Sequence, residues 1–264
     1  MAQAHVEGVL TTASLMVGAD AANEAIAIAK SQPTLGVGLH LVLTDGVAVL
    51  PPAEIPDLVD ASGHFHDGMA RAGARFFFRP AVRRQLAAEI RAQYDAFAAS
   101  GLVLDHVNTH KHFHVHPTIL NLALSIGREY GLRAVRLPSE PHSAAVAASA
   151  SSNRRAELET VLMRPWLRWM RRRLNAAGVR SNERLLGLRA TGHMNESRLL
   201  AAVADAAADG VAEIYLHPAS RNNLTSAMAN YDHCGEFAAL LSPRVAQALQ
   251  AAELTPIRFA DLGV

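Results

Sequence analysis

Cysteine is all but missing from this chain: Cys234 stands alone among 264 residues. One thiol excludes a disulfide framework and fits a reducing compartment, so a cytoplasmic protein is expected. Lysine is nearly as scarce, with Lys30 and Lys111 only. Lys+Arg is 25 against Asp+Glu 24, so net charge gives no argument for nucleic acid and no such partner is expected. No run of about 18 apolar residues is free of charge, which argues against a spanning helix. The opening MAQAHVEGVL has no basic region and no long apolar run, so a secretory signal is not expected. A Gly-rich phosphate loop, a serine elbow, a Cys-x-x-Cys pair and a fixed-period repeat are all absent.

Histidine, by contrast, is abundant. The chain has 13, and five crowd into eleven residues: His106, His110, His112, His114 and His116. Imidazole is the commonest protein metal ligand and titrates near neutral pH. The apolar Gly101-Leu-Val-Leu104 precedes the cluster and Pro117 opens a helical pattern after it, so the cluster sits where a strand gives way to a helix. In βα proteins active sites are built there.

Apolar runs alternate with helical stretches. Residues 8–17, 35–43, 102–108, 134–137, 185–188, 211–216 and 256–259 read as strands. Helices are expected over 20–31, 82–100, 117–130, 154–177, 196–208 and 235–252, with Pro165 starting or kinking its helix. In 82–100, Leu86, Ile90, Tyr94 and Phe97 recur at three- and four-residue spacing. Residues 45–80, with their prolines, glycines and Phe76-Phe-Phe78, read as a long loop; 139–153 reads as a mobile loop. This alternation predicts an α/β fold on a parallel sheet, open or closed into a barrel. His40, His110, Arg136, His193 and His217 each fall at or just past a predicted strand end, as residues at one barrel mouth do.

Two histidines from separate strands plus a carboxylate make a usual divalent-metal site, and His40 with His110 is the best pair. His110, His112 and His114 would point one way in an extended chain. A turn is expected instead, so that one or two reach the metal. His106 and His116 are assigned to supporting or packing roles. His217 is either a general acid for a leaving amine or a hydrogen-bonded structural residue. Arg136 either binds an anionic group or forms a structural ion pair. Residues 154–173 hold seven arginines against Glu157 and Glu159, and both tryptophans of the chain. That segment is either a peripheral contact for an anionic membrane or a solvated helix face with its tryptophans packed inward.

Several motifs resemble the YdjC/ChbG family of carbohydrate deacetylases. They are Gly8-Val-Leu-Thr-Thr-Ala-Ser-Leu-Met16, Val37-Gly-Leu-His-Leu-Val-Leu-Thr44, Asp105-His-Val-Asn-Thr-His-Lys-His-Phe-His114, Tyr130-Gly-Leu-Arg-Ala-Val-Arg-Leu-Pro138 and Glu213-Ile-Tyr-Leu-His-Pro218. The stretch Pro51-Pro-Ala-Glu-Ile-Pro-Asp-Leu-Val-Asp60 and the Asn-Thr-His-Lys-His-Phe-His variant are similar to its hopanoid-biosynthesis (HpnK-like) branch. The resemblance implies one domain over 1–264, a distorted (β/α) barrel lacking its first strand, and a divalent metal, magnesium or zinc. It maps the two histidine ligands onto His40 and His110. It implies removal of an acetyl group from an amino sugar or glycolipid, an N-acetylglucosaminyl hopanoid in that branch. Arg136 and His112 are then expected to bind substrate and His217 to be catalytic. A homodimer and a peripheral place at the inner membrane are further expectations. The family's Asp-Asp segment has no counterpart after Met1, and Asn108 stands where many relatives carry Asp. Two other readings follow: a defective or non-catalytic family member, and a different metal hydrolase such as a phosphoesterase.

Overall fold

The computed structural model describes residues 1–66, 68–141, 154–208, 210–225 and 228–263, with the side chains of 154–161 left undescribed. The elements run α1 (Ala2–Val6), β1 (Thr12–Leu15), α2 (Ala22–Lys30), β2 (Gly36–Leu41), α3 (Met69–Phe78), α4 (Pro80–Ala99), β3 (Leu104–Thr109) and α5 (Pro117–Gly127). They continue with α6 (Arg154–Ala176), β4 (Arg184–Leu186), α7 (Glu196–Ala206), β5 (Ala212–Ile214), α8 (His233–Leu240) and α9 (Pro243–Ala251). The chain forms two compact units interlaced in sequence. One holds residues 12–136, 174–180 and 258–264; the other holds 1–11, 137–173 and 181–257.

The first unit is built on a parallel sheet in the order β1-β2-β3. Its register places Ser14 beside Gly38 and His40 beside Asn108. Two single parallel bridges, Val107 to Val135 and Ala134 to Arg180, extend the ladder beyond β3. α4 packs Leu86, Ile90, Tyr94 and Phe97 inward at the spacing read from sequence, and Gly101 ends it in a left-handed conformation (φ +74°). The buried Gln93 of α4 bonds Val42 through both amide ends, at 2.9 and 2.7 Å, and Glu89 accepts the N–H groups of Val49 and Leu50. α4 therefore fixes the chain just past His40.

The second unit holds a parallel pair, β4-β5. Leu186, Met194 and Ala202 form one apolar cluster there; Ala4, Leu199, Val203, Leu240 and Val245 form another. Burying each such leucine or valine is worth roughly 1.5–3 kcal/mol.

The result is a mixed α/β fold with parallel strands, and several local expectations change. Residues 45–80 are not all loop, because α3 occupies 69–78; only Phe76 of its aromatic run is buried, while Phe78 is 76% exposed. Residues 8–17 shrink to the four of β1. Of the strand expected over 134–137, only Ala134 and Val135 pair, each through a single bridge. Residues 256–259 form no strand, since Arg258 pairs with Asp261 and closes a 3₁₀ turn over Phe259–Asp261. The helix expected over 235–252 splits at Ser242, which caps α9, and Pro243, which opens it. Pro165 lies inside α6, which runs on through it. Most of the expected loop over 139–153 lies outside the described residues, as do the side chains of Arg154, Arg155, Glu157 and Glu159.

Candidate metal and catalytic residues

Parallel pairing of β2 with β3 brings the two principal histidines together. His40 lies on β2 opposite Asn108, and His110 follows β3 by one residue. Their rings meet edge to face, with centroids 5.8 Å apart. Burial lowers the His40 pKa to about 3, and the positive charge of Arg136 adds to the effect. Burial, then the Lys111 charge, lowers His110 as well. Both rings are therefore neutral at pH 7, the form that binds metal.

Strand pairing also builds the floor under them. An added Cβ at Gly36 would meet the Asp105 carboxylate at 2.8 Å, and one at Gly38 would meet the His106 ring at 2.5 Å. The two glycines thus clear space for Asp105 and His106. His106 donates from Nδ1 to Asp105 at 2.8 Å, stacks on Phe259 at 4.4 Å and has Ser14 Oγ 3.1 Å from its Nε2. The other Asp105 oxygen accepts the Ala260 N–H at 2.9 Å.

Asn108 links this floor to His40. Its amide has one accepting end and one donating end, and the neighbours choose between them. With the oxygen toward Arg136, it accepts from both terminal guanidinium nitrogens at 3.2 Å and from the Ser14 hydroxyl at 2.8 Å. The amide nitrogen then donates to His40 Nδ1 at 2.6 Å. The reverse orientation puts Nδ1–H of His40 on the amide oxygen but turns donor against donor at Arg136. The charge of Arg136 favours the first. In it, Nε2 of His40 carries the proton.

The rest of the histidine cluster divides by role. The chain turns at Lys111 and His112, both left-handed (φ +52° and +53°). His114 is buried: it accepts from Thr109 Oγ1 and donates from Nε2 to the Arg136 carbonyl, both at 2.8 Å. His116 packs among Phe76, Phe77 and Phe113. The His112 ring lies 6.2 Å from that of His114. Lys111 holds Asp45 at 2.6 Å.

His217 belongs to the other unit, three residues past β5. Its N–H donates to Glu236, whose second oxygen accepts the Met194 N–H at 2.9 Å. Its carbonyl accepts from His233 Nδ1 at 2.5 Å, and its ring Nε2 lies 2.7 Å from the Tyr215 hydroxyl. Burial raises the Glu236 pKa. The sequence analysis assigned no role to Glu236, Tyr215, Ser14, Gly36 or Gly38; Ser14 and Tyr215 lay inside the family-like motifs, and two glycines alternating in an apolar run were a signal for the floor.

Two neutral imidazoles suit a divalent metal, while no group of three His, Cys, Asp or Glu side chains that could hold one occurs among the described residues. His40 and His110 are thus two donors of the kind such a metal takes, and no third joins them among the described residues.

The family model described as YdjC-like protein matches residues 1–251. A carbohydrate deacetylase of Brevibacillus brevis is 42% identical over 128 residues, 48% of each chain. One from Geobacillus stearothermophilus is 37% identical over 140 residues, 53% of this chain and 51% of its own. The matched segment thus spans about half the length of these relatives. A crystal structure of an Enterococcus faecalis V583 protein named for cellobiose-phosphate cleavage superposes over the whole chain and 92% of its own, with TM-score 0.73 at 24% identity. At that identity the likeness concerns the fold.

Proposed function

This chain belongs to the YdjC-like protein family, and we propose that it is a carbohydrate deacetylase that hydrolyses the N-acetyl group of an amino sugar. The pairing of two neutral imidazoles, His40 and His110, at adjacent strand ends carries this reading. The two deacetylases of similar sequence support it. Within the proposal His40 and His110 hold a divalent metal, zinc or magnesium. A metal so held supplies Lewis acidity toward the amide carbonyl and lowers the pKa of a bound water. Arg136 and His112 bind the sugar; His217 protonates the departing amine. The Tyr215 hydroxyl at His217 Nε2 fixes the orientation of that ring. A closed barrel is part of the proposal, supported by the two bridges that extend the sheet past β3. The substrate proposed from the 51–60 and 108–114 motifs is an N-acetylglucosaminyl hopanoid.

Acetate release tests this directly, with N-acetylglucosamine oligosaccharides and an N-acetylglucosaminyl lipid as substrates and zinc or magnesium supplied. We expect release, reduced about 100-fold or more in His40→Ala and His110→Ala. No release from any of these substrates would sink the reading.

One observation favours a second reading, a metal-poor and non-catalytic family member. With Asn108 oriented by Arg136, His40 Nδ1 accepts from the Asn108 amide and Nε2 carries the proton, so neither nitrogen offers a free lone pair to a metal. Calorimetric titration with zinc separates the two: tight binding supports the hydrolase, and negligible binding supports the alternative.

A further inference from the structure

We propose that α3 and the turn into α4 form a docking surface for an anionic lipid bilayer. The proposal rests on no assumption about the reaction and uses residues of one unit only. The only polar side chains of α3 are Arg71 and Arg75. Its 3.6-residue period sorts the remaining positions. Gly73 and Phe76 are buried, and Phe76 meets Phe113 and His116. Ala70, Ala74, Phe77 and Phe78 follow one another at three- and four-residue spacing on the outer side, and all four are exposed. Phe78 is 76% exposed and Phe77 49%. Their rings lean on each other with centroids 5.0 Å apart, and Phe77 reaches His116 at 6.4 Å. The side of the helix that would normally carry charge is therefore apolar. A contiguous exposed patch of this kind marks an interaction surface.

The charge beside the patch has one sign. Five arginines and no acidic residue lie between Gly68 and Ala88. Two of the five are committed: Arg75 pairs with Asp57 at 2.9 Å, and Arg83 donates to the carbonyls of Phe76 and Phe77. Arg71, Arg79 and Arg84 are exposed, and none pairs with a carboxylate among the described residues. Glu89, the next acid along the chain, is buried and accepts the N–H groups of Val49 and Leu50. Two exposed aromatic rings among unneutralised guanidinium groups match an anionic bilayer. The rings enter the boundary between headgroups and acyl chains. The arginines gain from the negative surface potential within a Debye length. No described helix is long and apolar enough to cross a membrane, so the contact lies on the surface. A second copy of this face would set arginine against arginine.

The full chain is sedimented with vesicles of phosphatidylglycerol in phosphatidylcholine, and with phosphatidylcholine alone. We expect co-sedimentation with the anionic vesicles only, reversed by raised salt. Position is read from a dye sensitive to polarity, attached to Cys234→Ser/Phe78→Cys. The control is Cys234→Ser/Val103→Cys, since Val103 is 85% exposed and lies past the far end of α4. The dye at 78 should shift to the blue on the anionic vesicles, and the dye at 103 should not. Phe77→Ser/Phe78→Ser and Arg71→Glu/Arg79→Glu/Arg84→Glu should each weaken binding about tenfold or more, at an unchanged circular dichroism spectrum. The proposal is overturned by a chain that does not sediment with the anionic vesicles, or that sediments equally with neutral ones. It is also overturned by binding that leaves the dye at 78 unshifted, which would mark another surface. A blue shift that grows with protein concentration and needs no lipid would mark self-association and overturn it too. The comparison of the two vesicle types uses the unsubstituted chain, so it decides the matter even if a variant misfolds.

Discussion

Asn108 is the residue on which the character of the site turns. Asparagine cannot accept from Arg136 and from His40 Nδ1–H with the same oxygen while satisfying its own amide hydrogens. An aspartate can accept from both, leaving His40 Nε2 free of its proton. Asn108→Asp should therefore tighten divalent-metal binding, by about 10–100-fold on the scale of such supporting contacts. Zinc calorimetry on the wild type and the variant checks it, and equal affinities would remove Asn108 from the argument. The histidines were legible in the sequence as a group and His40 with His110 as a pair. Their hydrogen bonds were not: which imidazole is pinned depends on Thr109, the Arg136 carbonyl and Phe259, and spacing along one segment says nothing of those.

The buried imidazoles also set an acid limit. Burial lowers His114 to about 4 and His40 to about 3 from an ordinary 6.5. Below pH 6.5 the unfolded chain takes up these protons first, so stability present above 6.5 is lost as pH falls toward 4. By pH 5 each costs up to about 2 kcal/mol. Glu89, Glu140 and Glu236, whose pKa values burial raises, act in the opposite sense as the acid limit nears. Thermal melts at pH 7 and pH 5 should show the loss, and His114→Gln should be weaker at pH 7 but lose less between the two. An unchanged difference in that variant would show that His114 is not its source.

Among the elements, β2 is the most informative. Its two glycines look like weaknesses in a strand, yet Gly36 makes room for Asp105 and Gly38 for His106. A methyl group at 38 would strike a ring held on its other side by Phe259, which cannot swing away. Gly38→Ala should cost about 1–3 kcal/mol by chemical denaturation, and a stability within error of the wild type would mean that the ring yields after all. Helix α4 was read correctly from its apolar spacing. Its second task, holding the 42–50 segment with Glu89 and Gln93, lay on polar residues that periodicity treats as surface. The opposite failure came at 256–259, where an apolar run suggested a strand and the Arg258–Asp261 pair made a turn.

At the scale of the molecule, neither unit is contiguous in sequence. Each takes its parts from three stretches, a partition that local patterns cannot express because it is made by contacts between distant residues. The short stretch 258–264 belongs to the unit begun at Thr12. A chain stopped at Ile257 loses the Phe259 ring against His106 and the Ala260 N–H on Asp105. At about 3 kcal/mol for the aromatic ring alone, its melting temperature should fall by roughly 5–10 °C. Differential scanning calorimetry would show it, and an unaltered melt would mean that the floor of the site stands without its stopper.

The Asp105–Ala260 bond joins residues 155 positions apart. Synthesis proceeds from the N-terminus at about 5–20 residues per second. The segments bearing His40 and His110 are thus made many seconds before the ribosome has passed the residues that support them from below. A nascent chain holds both imidazoles without that support until Phe259 and Ala260 have emerged, so the order of translation makes the floor of the site one of its last parts to form.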